Sequence, residues 1–103
     1  MRVMMTVGLP VEAGNRAAKA NKLGPTIQAI LAEQKPEAVY FGTRNGLRTG
    51  FIFVDLKDNS DIPKLAEPWF LAFNATVDVQ PVMAPEDLAK AGPAIAEAVK
   101  KFA

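Results

Sequence analysis

Tyr40 and Asp78 are the side chains of this sequence best placed to move a proton from an apolar surface. Each sits inside an apolar run, Val39-Tyr40-Phe41 and Val77-Asp78-Val79. A carboxyl on an apolar sheet has its charged form disfavoured, so it gains basicity. The plainer readings are a water-facing charge that discourages strand-edge association for Asp78, and an aromatic with its hydroxyl at the rim for Tyr40. Arg44 and Arg48 flank Asn45-Gly46. They could grip a carboxylate or phosphate through paired N–H donors, or simply be solvated. The chain has 103 residues with no histidine and no cysteine. Ser-His-Asp catalysis, typical catalytic zinc sites, thiolate metal sites and disulfides therefore cannot be built within it. The residues present ask for no metal and no cofactor.

The remaining charged and glycine-rich features have structural explanations. Gly42, Gly46 and Gly50 recur at intervals of four but lie in a hairpin. No helix N-terminus follows them to hold a phosphate. Arg16, Lys19 and Lys22 read as a solvated helix face. Glu86 and Asp87 complement the dipole at the start of the last helix. Trp69 and Phe70 read as anchors of a helix on the sheet.

The totals bound the partners. Half of the residues are hydrophobic and the net charge is +1. A packed core is within reach, and the field needed to gather nucleic acid is missing. No apolar run approaches the roughly 18 residues of a membrane span. The opening MRVMMTVGLP is too short for a secretory signal and reads as a strand. The expectation is one cytoplasmic domain over residues 1–103, with no nucleic acid and no membrane as partner.

Six elements and a terminal helix must position these groups. Arg2–Val7 reads as a strand. Val11–Gln34 is helical in composition, with a break expected at Gly24-Pro25. Lys35-Pro36 stops it. Glu37–Thr43 and Leu47–Leu56 read as strands joined by Asn45-Gly46, the pair that suits a type I′ turn. Ser60 or Asp61 can cap a helix that runs to Phe73, with Pro63 in its first turn and a kink or restart at Pro68. Asn74–Met83 reads as the last strand. A C-terminal helix follows, with Leu88, Ala91, Ile95, Val99 and Phe102 at helical spacing and an interruption at Gly92-Pro93. The order is β-α-β-β-α-β, a ferredoxin-like α+β fold with a four-stranded antiparallel sheet, plus the C-terminal helix.

The turn sets the register, pairing Arg44 with Leu47 and Tyr40 with Phe51. Val39, Phe41, Ile52 and Val54 then share a face suited to packing under helices. Tyr40, Thr49, Phe51 and Phe53 share the other, which continues on the last strand as Thr76, Asp78 and Gln80. An exposed aromatic patch of this kind is what monomers avoid. The expectation is a homodimer packed sheet to sheet. Such a dimer either keeps a cleft lined by Tyr40, Thr49, Phe51, Thr76 and Asp78 for a small apolar or aromatic molecule, or closes the face with no ligand.

Four segments carry a resemblance: PEAVYF (Pro36–Phe41), GLRTGFIFVDL (Gly46–Leu56), AEPWFLAFNA (Ala66–Ala75) and PVMAPEDLAKAG (Pro81–Gly92). They resemble an uncharacterised bacterial family of the dimeric α+β-barrel superfamily over roughly the latter two-thirds of the chain. The resemblance implies two ferredoxin-like subunits packed sheet to sheet, with a cleft between each sheet and its helices. It also implies a range of activities, from monooxygenases and muconolactone isomerases to haem-degrading and stress-responsive proteins. Branches that use a histidine have no counterpart here. A cofactor-free monooxygenase- or isomerase-like activity stays open beside a structural or regulatory dimer. No catalytic motif of that superfamily maps onto this chain residue by residue.

Overall fold

The computed structural model describes residues 1–103, the whole sequence. The chain folds as β1 (Arg2–Leu9), α1 (Val11–Lys19), α2 (Leu23–Gln34), β2 (Ala38–Arg44), β3 (Leu47–Asp55), α3 (Ile62–Phe73), β4 (Thr76–Pro81), α4 (Pro85–Lys90) and α5 (Gly92–Phe102). The four strands form one antiparallel sheet in the order β2-β3-β1-β4. This order is consistent with a ferredoxin-like fold.

Alternation along β1 decides which face the helices cover. Val3, Met5, Val7 and Leu9 all point to one side and are buried there with Ile52, Val54 and Leu56. Ile30 of α2 and Trp69 and Phe73 of α3 complete that core. The Trp69 and Phe73 rings stack at 6.2 Å. The Trp69 indole donates to Oε1 of Gln34 at 3.3 Å, and Nε2 of Gln34 donates to the Leu65 carbonyl at 2.8 Å. Thus α2 and α3 are tied through a polar pair, and the indole N–H is not left unpaired in the core.

The hairpin has the register expected from its turn. Asn45 and Gly46 have φ of 55° and 76°, the two positive values that a type I′ turn requires. Arg44 faces Leu47, and Tyr40 faces Phe51.

Several boundaries differ from expectation, each for a local reason. The helical stretch breaks at Asn21 (φ 59°), not at Gly24-Pro25. Asparagine tolerates the left-handed region. Pro25 falls in the first turn of α2, where its missing N–H costs nothing. The turn before α3 is capped by Asp58, whose carboxylate accepts from the Ser60 N–H at 2.9 Å; neither Ser60 nor Asp61 caps that helix through its side chain. Pro68 lies inside a continuous α3. Asn74, at φ 52°, ends α3 in the left-handed region, so β4 starts only at Thr76.

The C-terminal helices stand away from the rest. The break between α4 and α5 falls at Ala91, beside the expected Gly92-Pro93. Neither helix buries a residue. The radius of gyration is 17.2 Å, with extents of 59 × 28 × 21 Å, whereas a compact chain of this length has about 13 Å. The excess comes from this arm. No helix is long and apolar enough to cross a membrane.

Candidate functional site

Helices α1 to α3 cover the buried side of the sheet incompletely. β2 is an edge strand, and Phe41, on the covered side of it, is 61% exposed. Its register partner is Gly50, and a Cβ on Gly50 would lie 3.4 Å from the Phe41 ring. With no side chain at Gly50, a space opens between β2, β3 and the start of α2. The result is a cavity of about 380 Å³. Leu23 and Ile27 of α2 wall one side, Val7, Leu9 and Ile52 of the sheet the other, and Trp69 and Phe41 also line it. A volume of this size falls within the roughly 300–1,000 Å³ of small-molecule sites.

Polar groups are few and sit on one row. Thr43 and Arg48 are register partners. Leu9, buried on the covered side, is the partner of Arg48 on β1. Nη2 of Arg48 donates to Oδ1 of Asn15 in α1 at 2.9 Å. Thr49 also lines the cavity, but its hydroxyl donates to the Leu47 carbonyl at 2.9 Å and its side chain belongs to the opposite face.

The open face is laid out in rows by the same register. Tyr40, Phe51, Thr6 and Asp78 lie side by side across the four strands, and Gly42, Thr49, Gly8 and Thr76 form the next row. The face therefore grades from aromatic on the hairpin to polar on β4. Tyr40 is 65% exposed and packs edge to face on Phe53 at 6.5 Å. Phe51 is half-buried. Thr49, Thr76 and Asp78 meet, with Arg44, around a polar hollow of about 100 Å³. Tyr40 and Phe51 are not part of it. Within one chain the five side chains expected to line a pocket thus divide into a small polar corner and an aromatic shelf. Only Thr49 reaches the larger apolar cavity.

The cavity's own lining was not singled out from the sequence. Leu23, Ile27 and Trp69 look like ordinary core positions in a helical stripe. One signal was present: Gly50 sits mid-strand opposite Phe41, and an interior strand glycine marks a gap or a close approach. The clearest charge effects lie elsewhere. Hydrogen bonds from Lys57 and the N-terminal amine hold the Asp55 carboxyl down at about 2. Asp58 is lowered by its bonds to the Ser60 hydroxyl and N–H. No group of three or more acidic side chains is arranged to hold a metal ion. Comparison with the models of known protein families and with the curated proteins finds no match for this chain.

Proposed function

We propose that this protein is a homodimer that binds a small apolar or aromatic molecule, with the ligand behind the sheet and the second copy in front of it. The observation that carries the ligand reading is the 380 Å³ cavity between β2, β3 and α2. Arg48 is the one charged side chain among its twelve lining residues, and a guanidinium offers donors and no acceptor. The lining offers no general acid or base at neutral pH, so binding fits it better than the isomerase- or monooxygenase-like chemistry that the resemblance implies. Ligand atoms would gain from the usual transfer of apolar surface out of water.

Two surfaces support the dimer. The aromatic shelf of Tyr40, Phe51 and Phe53 is only partly covered within one chain, with Tyr40 exposed and the two phenylalanines half-buried. Leu88, Ile95, Val99 and Phe102 form an exposed apolar stripe along the arm, with Phe102 86% exposed. Gln80 of the open face and Leu88 of α4 border one groove, so stripe and sheet face are continuous. A second copy related by a two-fold axis brings the same continuous surface and buries both. A specific interface needs about 800 Å² per partner, more than the few aromatics of the shelf supply without the arm.

Trp69 is the only tryptophan and lines the cavity. Its emission reports occupancy directly. Titration with octanol should give a saturable change, and Ile27→Phe, which fills the cavity, should weaken it. A dimer in which octanol never saturates supports the alternative reading, a structural or regulatory homodimer with no ligand.

A further inference from the structure

Arg48 is exposed at the rim of the cavity and makes no ion pair within the chain. The four ion pairs of the molecule join Asp55 to the N-terminal amine and to Lys57, Glu37 to Arg2, and Glu97 to Lys101. Arg48 takes part in none of them. Its guanidinium reaches from β3 to α1, where its protein partner is the neutral amide of Asn15. The guanidinium lies over Gly14: a Cβ there would lie 2.5 Å from Nη1 and 3.3 Å from Cζ, so the Arg48 side chain would have to shift. The guanidinium is seated on a glycine and steadied by an amide, with further N–H donors to spare. It stands at the edge of a cavity whose other side chains are apolar, apart from the Thr43 hydroxyl.

We infer that the ligand of this cavity is an apolar acid. Its carboxylate pairs with Arg48, and its hydrocarbon body lies between Leu23, Ile27 and Trp69. This rests on the proposal that the cavity binds a ligand, and adds the charge of that ligand to it. A carboxylate matches the planar fork of a guanidinium, which can offer two parallel N–H donors. The Thr43 hydroxyl, on the same row, is a second donor for that head group. An alcohol or hydrocarbon of the same size would fill the apolar part and leave the guanidinium to Asn15 and water. An amine would place like charges together.

The test uses octanoate, octanol and octylamine as probes of one shape, read by Trp69 emission. Octanoate should bind roughly two- to fivefold tighter than octanol, the usual worth of an ion pair at an exposed guanidinium. Octylamine should bind more weakly than octanol. Arg48→Gln should bring octanoate to the level of octanol. Gly14→Ala keeps the charge and pushes the guanidinium off its seat, so it should weaken octanoate and leave octanol unchanged. Arg48→Lys should fall between the wild type and Arg48→Gln, since it keeps the charge and loses the fork. Equal binding of octanoate and octanol to the wild type, or an octanoate preference that survives Arg48→Gln, would overturn the acid inference while leaving the cavity reading intact. Saturation by none of the probes would overturn both.

Discussion

The two faces of this sheet are built from the same four strands and do opposite things. On the covered face Val3, Met5, Val7 and Ile52 are buried under α2 and α3, and the core ends at a gap beside Gly50 and Phe41. On the open face Tyr40 is exposed, Phe51 and Phe53 are half-buried, and Asp78 and Thr76 border a polar corner. Alternation alone produces the split, because each residue shifts its neighbour to the other side. The consequence is a difference in cover: a half-open cavity lined by the chain itself on one side, and a face that α1 to α3 leave open on the other.

Substitutions can break this comparison, and the covered face should respond most. Trp69→Ala removes the ring stacked on Phe73 and the donor to Gln34, and it should cost about 3–5 kcal/mol in denaturant unfolding. Ile52→Ala should cost about 2–5 kcal/mol by the same measurement. On the open face Phe53→Asp should leave the monomer folded by circular dichroism and weaken self-association roughly tenfold or more in sedimentation equilibrium. The wild type should sediment as two chains at micromolar concentration, and a wild-type monomer would undo the open-face half of the account.

The smallest effect lies at the end of β3 and in the loop that follows it. Asp55 and Asp58 have folded pKa values below their ordinary value of 3.8, Asp55 at about 2. The unfolded chain therefore binds more protons between those limits, so stability rises with pH there. It is fully present above about pH 4 and is lost as the pH falls toward 2. Asp55→Asn should flatten the acid limb of a stability–pH curve by a small amount, since both groups are exposed and screened. An unchanged limb would remove these carboxylates from the account.

Much of the fold was legible because particular residues leave few choices. Asn45-Gly46 determined the turn, and with it every pairing between β2 and β3. The alternation in β1 and β4 then assigned both faces. Helix boundaries were harder, since Asn21 and Gly24-Pro25 are both acceptable break points and only packing chooses between them. The cavity was largely hidden. Whether Leu23 and Ile27 pack tightly or leave a space depends on how far α2 extends over the edge strand, which is a property of the tertiary arrangement and not of helical spacing. Arg48 illustrates the same limit. The sequence places it beside a turn, and only the approach of Gly14 and Asn15 directs it to the cavity's edge.

The most direct test asks which face holds the proposed ligand. Octanol is titrated into the wild type and into Phe53→Asp, with Trp69 emission as the readout and sedimentation of the same samples to give the mass. The same saturable curve is expected for the dimer and for the monomeric variant, because a single chain supplies every residue that lines the cavity. Binding that disappears along with the dimer would place the ligand on the open face and contradict a cavity site.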